Sequence, residues 1–247
     1  EKKKIHFLSS PFSLEAIDLL EKIKIKFYKI PSGEITNIPL IEKINKINKP
    51  TFLSSGMSNW KELDLAVEKL KDVKKLTIMQ CTSSYPCSLK DVGLNIIDEM
   101  KKRYGLPVGF SDHTIGITAA VLSSFYKITT IEKHFTLSKN MYGSDAFNAL
   151  EPNEFKNMVS CIKESQVIHK NSVNKNNLKK LKNMKRIFEK SIVVKRKIEK
   201  NQIIEFNDLA FKKPGHGIKP EVYKKILGKK AKKYLKENHV IKIGDYY

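Results

Sequence analysis

Two stretches of this chain decide its fold: "PVGFSDHT" (residues 107–114) and "TIEKHFT" (residues 130–136). Each is a short apolar run that ends in a polar cluster with one histidine, His113 or His134. The same texture recurs upstream in "IHFLSS" from Ile5, "KFYKIPSGE" from Lys26, "PTFLSSGM" from Pro50 and "LTIMQCTSSYP" from Leu76. Between these runs lie segments of helical spacing. In "NWKELDLAVEKLKD", Leu63, Ala66, Val67 and Leu70 share one stripe, and Asn59 is placed to cap a helix starting at Trp60. Strand and helix alternate about every 20 to 30 residues, which predicts βαβ units and a parallel sheet.

The runs are nearly all apolar, as strands covered on both faces are. All six end in Ser, Thr, Gly, Glu, Asp or His. In a (β/α)₈ barrel all such ends converge on one face, where the active site lies. A doubly wound sheet instead concentrates its site at one switch point. Polar endings on every strand therefore predict the barrel. A barrel needs eight strands and six are found, so the first two βα units are expected to be absent from the N-terminal side. Residues 1–170 form the predicted barrel domain and 171–187 a polar linker. Residues 188–247, with Pro214, Gly215, Gly217 and Gly228 as punctuation, form a small β-rich domain.

Composition narrows the function. No apolar run approaches the roughly 20 residues a bilayer crossing needs, and "EKKKIHFLSS" lacks the apolar core of a signal peptide. A cytoplasmic protein is expected. Cys81, Cys87 and Cys161 have no zinc-type pairing and read as free thiols. The net charge is +21, and residues 170–247 hold 23 Lys and Arg against 7 Asp and Glu. Clustered cations suit nucleic acid, but "KINKINKP" and "NSVNKNNLKKLKN" show a Lys/Asn/Ile bias without interleaved aromatics. Nucleic acid is therefore the disfavoured reading, and no membrane contact is expected.

If their strands are neighbours, His113 and His134 can face one divalent cation, since neutral imidazole suits Mn, Fe, Co and Zn. Two histidines with no third firm protein ligand leave coordination positions for a substrate carbonyl. Asp112 and Glu132 are expected to orient the imidazoles. In "YKIPSGE", Lys29, Ser32 and Gly33 suit a phosphate or carboxylate, and Glu34 is a candidate acid/base. Ser54, Ser55, Gly56 and Ser111 add hydroxyls and a backbone donor at the same rim, joined by Thr82, Ser83, Ser84 and Tyr85. The residues by themselves thus predict a barrel enzyme with a divalent metal and a phosphate-bearing substrate.

"FLSSPFS", "YKIPSGEITN", "FLSSGM", "CTSSYP", "GFSDHT", "IEKHFT", "YGSD...LEP" and "KKPGHGI" together resemble, in order, the sialic acid synthase family. The resemblance implies condensation of phosphoenolpyruvate with an N-acetylated hexosamine and water, giving a nine-carbon nonulosonic acid and phosphate. N-acetylmannosamine is the favoured acceptor, with legionaminate or pseudaminate synthesis, or a truncated sugar- or anion-binding relative without turnover, as alternatives. It implies a barrel followed by an antifreeze-like (SAF) domain, in a domain-swapped homodimer. It implies His113 and His134 as ligands of Mn²⁺, with Mg²⁺ or Co²⁺ as substitutes. Lys29, Ser32, Ser54 and Ser111 are implied as phosphoenolpyruvate ligands, and Glu34, Tyr85 and Asp145 as sugar contacts. In that mechanism the aldehyde is polarised and attacked by C3 of phosphoenolpyruvate. Water then adds at C2 and phosphate leaves by C–O cleavage. Two departures stand out. Lys213 occupies the place of an arginine that reaches the sugar, keeping the charge but losing the bidentate fork. A glutamate and a lysine of the family's first two strands have no counterpart here.

Overall fold

A computed structural model describes residues 5–247. Five parallel strands form one sheet: β1 Tyr28–Ile30, β2 Thr51–Ser54, β3 Leu76–Cys81, β4 Val108–Asp112 and β5 Ile131–Lys133. They lie side by side in chain order, with no reversal. A doubly wound sheet reverses its order at a switch point; this one adds each new strand on the same side, as a barrel does. Helices alternate with the strands: α1 Leu14–Lys22, α2 Ile38–Ile47, α3 Trp60–Lys69, α4 Asn95–Tyr104, α5 Thr118–Ser123 and α6 Pro152–Lys170. The fold is a partial (β/α)₈ barrel followed by a small β-rich unit, and the two compact units divide between Ser172 and Val173.

Local chemistry explains the helix starts. Asn59 caps α3 in a reciprocal box with Glu62, as its sequence position predicts. Ser13 accepts from the Ala16 amide at α1, and Asn37 accepts from the Leu40 amide at α2. Strand alternation then sorts the side chains. Tyr28, Ile30, Leu53, Ile78 and Val108 face the helices and join Ile17, Leu20, Leu40, Ile41, Ile44, Leu63, Ala66 and Ile97 in the main core. The opposite face presents Lys29, Ser54, Cys81, Ser111 and Glu132 to a cleft.

One expectation needs correction. The run starting at Ile5 is not a sixth strand: it makes a single bridge, Ser9 to Tyr28, in which the Lys29 amide donates to the Ser9 carbonyl. Ile5, Phe7 and Leu8 are exposed, and a strand is stabilised by burying one face, which this run does not do. The stretch read as a linker, 171–187, also holds most of a helix, α7 Lys182–Phe188.

The second unit joins β6 Ser191–Val194 and β7 Leu209–Lys212 in an antiparallel pair. Ile192, Val194, Ile198, Ile204, Leu209, Ile226, Leu235 and Ile241 fill its core. No helix among the described residues is long and apolar enough to cross a membrane.

Candidate active site

The strand ends open into a cleft of about 730 Å³, lined by residues from every strand of the sheet. On its floor, Ser111 and Glu132 are partners across β4 and β5, and the Ser111 hydroxyl donates to Glu132 Oε1 at 2.7 Å. Lys29 Nζ donates to both Glu132 oxygens, at 2.7 and 2.5 Å. Burial alone would raise the Glu132 carboxyl, but the Lys29 ammonium and the Ser111 hydroxyl hold it below the ordinary carboxylate value.

His113 and His134 follow the last residues of β4 and β5, and their ring centroids lie 5.2 Å apart. Tyr85 covers them, 4.3 Å from the His113 ring and 5.8 Å from that of His134. His113 Nδ1 lies 2.9 Å from the Thr82 carbonyl oxygen, which fixes the proton there and leaves Nε2 as the free nitrogen. Burial holds this imidazole below its usual value, and therefore neutral near pH 7, although the Thr82 carbonyl works the other way. His134 Nδ1 is 3.4 Å from the Asp145 carboxylate.

The imidazoles are thus oriented by the Thr82 carbonyl and by Asp145, not by Asp112 and Glu132. Asp112 points to the helix side of the sheet, where it pairs with Lys133. Glu132 is taken by Lys29 and Ser111. Among the described residues no group of three or more His, Cys, Asp or Glu could hold a metal ion. The pair His113 and His134 fits a cation whose remaining positions are filled by water or substrate: both rings line one cleft, His113 Nδ1 is held by the Thr82 carbonyl, and Asp145 lies beside His134 Nδ1.

Ser32 and Ser54 line the cleft as expected. Ser32 Oγ accepts from the Gly56 amide at 2.9 Å, so that amide holds the serine instead of meeting an anion. Gly56 also marks a close approach. A Cβ there would lie 2.3 Å from Ser83 Oγ and 2.8 Å from both Cys81 Sγ and Ser32 Oγ. Glu34 is not among the cleft residues; its carboxylate accepts from the Asn37 side chain at 2.7 Å. Lys213 lies in the second unit, its ammonium 4.8 Å from the centre of the Phe188 ring.

Two cleft groups take places that the sequence reading did not assign them. The Cys81 thiol sits 3.7 Å from His113 Nδ1, and burial pushes its pKa up. Glu132 belongs to the floor, a role visible only once Lys29 is brought to it.

The model of the NeuB family matches residues 1–174, and that of the SAF domain matches 189–246. The chain belongs to the NeuB family. This is the sialic acid synthase family that its motifs resemble. An N,N'-diacetyllegionaminic acid synthase of Campylobacter jejuni is 40% identical over 98% of this chain and 73% of its own length. A pseudaminic acid synthase of Helicobacter pylori is 36% identical over 96% of this chain and 70% of its own. Among solved structures, an N-acetylneuraminic acid synthetase of Leptospira borgpetersenii superposes with a TM-score of 0.68 at 29% identity. That match covers 74% of this chain and 66% of that one.

Proposed function

We propose that this NeuB-family chain acts as a nonulosonic acid synthase, joining phosphoenolpyruvate to an acetamido sugar. The observation that carries the reading is the meeting of two imidazoles, one buried lysine and the hydroxyls of Ser32, Ser54 and Ser111 in a single cleft. C3 of phosphoenolpyruvate would form the new bond to the sugar aldehyde carbon. Water would supply the oxygen at C2, and phosphate would leave with the bridging oxygen, so that atoms balance. His113 and His134 would hold Mn²⁺, which when bound offers Lewis acidity toward a carbonyl oxygen. Ser32 and Ser54 would donate to the anionic groups, joined by Ser111 and Lys29 once a substrate anion displaces Glu132 from them. Tyr85 shields the imidazoles from bulk water.

A legionaminic acid synthase at 40% and a pseudaminic acid synthase at 36% identity match nearly the whole chain, whereas a human N-acetylneuraminate-9-phosphate synthase matches 64% of it at 32%. That moves the favoured acceptor from N-acetylmannosamine to a diacetamido-trideoxyhexose. A second reading, substrate binding without turnover, rests on the absence, among the described residues of the cleft lining, of a free cation to meet the charge on a leaving phosphate. Lys29, the one Lys or Arg among the residues lining the cleft, is already neutralised by Glu132.

The test is phosphate release from phosphoenolpyruvate with Mn²⁺ and either acceptor. Release that requires a diacetamido sugar, and falls about a thousandfold (several kcal/mol of barrier) in His113→Ala, is the expected result. Phosphoenolpyruvate binding with no release under any acceptor would establish the second reading.

A further inference from the structure

Successive cross-strand pairs at the ends of β4 and β5 alternate between the two faces of the sheet. Ser111 and Glu132 face the cleft, Asp112 and Lys133 face the helices, and His113 and His134 face the cleft again. The register of the two strands stops at Asp112 and Lys133. Beyond it the backbones part. The His113 carbonyl accepts from the Cys87 amide and the His134 carbonyl from the Leu150 amide, each at 2.9 Å. No backbone bond joins the two histidines to each other.

A side-chain clamp does join their neighbours. Lys133 Nζ lies 2.9 Å from Asp112 Oδ2, and both side chains are fully buried, at 0% exposure each. The same ammonium donates to the Thr114 carbonyl. Asp112 Oδ1 in turn accepts from the Thr114 amide at 2.8 Å. Lys133, the residue before His134, therefore grips the chain on both sides of His113. A buried ion pair contributes little net stability over an apolar pair of the same shape. What it supplies is a fixed spacing, because neither charge can relax into water.

We propose that Asp112 and Lys133 are positioning residues that set the separation and orientation of His113 and His134. For the metal the inference rests on the functional reading above; for the imidazole geometry it stands without it.

Removing one partner would strand the other charge in the core, so the informative variant is the double one, Asp112→Asn with Lys133→Met. It removes both charges and keeps an acceptor for the Thr114 amide. Two readouts apply to the full chain. The first is the set of imidazole NMR signals of His113 and His134 in metal-free protein. The second is Mn²⁺ affinity. In a double variant whose urea midpoint stays near that of the wild type, both imidazole signals should shift and broaden. Mn²⁺ affinity should fall by about 10- to 100-fold, the usual effect of losing groups that orient metal ligands.

Wild-type imidazole signals in the folded double variant would overturn the proposal, and shifted signals with unchanged Mn²⁺ affinity would overturn its extension to the metal. If the signals shift and the wild-type chain itself binds no Mn²⁺, the positioning role stands and the metal reading falls. Should the double variant not fold, Asp112→Glu keeps both charges and lengthens the clamp by one methylene. It should displace the same two signals, and signals at their wild-type positions would again overturn the proposal.

Discussion

Both units of this protein bury carboxylates, but they satisfy them in opposite ways. In the barrel unit Asp112 meets Lys133 with neither side chain exposed, and Glu132, part-exposed in the cleft, meets the buried Lys29 across 103 residues of sequence. In the SAF unit Asp208 and Asp245 are buried, while their cations are not: Arg196 is 62% and Lys233 61% exposed. There exposed cations share the burden with nearby groups, backbone amides among them. The Glu205 amide donates to Asp208 at 2.9 Å, and the Lys242 amide donates to Asp245 at 2.8 Å, beside His239 Nε2 at 2.7 Å. The difference is one of purpose. A carboxylate held by nearby amides pins irregular chain in a small domain with a modest core. A carboxylate held by a distant buried cation positions side chains, at a desolvation cost that pinning would not require.

The contrast can be broken first at Asp245. Asp245→Ala removes an acceptor from three donors, and the SAF unit should lose about 2 to 3 kcal/mol. In urea its transition should move to lower denaturant while that of the barrel unit stays in place. Acid should act the same way. Burial alone would raise the Asp245 carboxyl, but Lys233, His239 and the Lys242 amide lower it on balance. A depressed carboxyl contributes stability above the ordinary value of about 4 and loses it as pH falls through the folded value below that. Asp245→Asn should therefore flatten the acid limb of SAF-unit stability, and an unchanged limb would place the acid-sensitive group elsewhere.

Glu132→Gln sharpens the other side of the comparison. It leaves the Lys29 ammonium buried without its counter-charge, so the barrel unit should lose stability on the order of 2 kcal/mol. Inorganic phosphate should then restore more of that loss than it adds to the wild type, because a bound anion replaces the missing carboxylate. Equal phosphate-induced shifts in melting temperature would mean that Lys29 does not face the anion. The smallest effect belongs to Arg196→Ala. Water can replace so exposed a guanidinium, and the urea midpoint should stay within experimental scatter.

Much of the barrel was legible because its signals are local. Apolar runs with polar ends gave the strands, Asn59 with Glu62 gave the start of α3, and two histidines at matching strand ends gave the heart of the cleft. The run at Ile5 misled because an apolar, β-branched texture shows only what a segment could do if its face were covered. Residues 171–187, read as a linker from their polarity, contain most of α7. Glu34 looked like a cleft residue from its motif, but Asn37, three residues on, takes its carboxylate.

By itself, then, the sequence determined the alternation of strand and helix, the face on which polar residues gather, and the family. These follow from periodicity and motif order, which are properties of neighbours along the chain. Only the tertiary structure decided which charge meets which. The pairing of Lys29 with Glu132, the Thr82 carbonyl on His113 and the Asp112–Lys133 clamp all depend on strand register. Register is fixed by the summed packing of a whole sheet against its helices, and no single stretch of sequence encodes it.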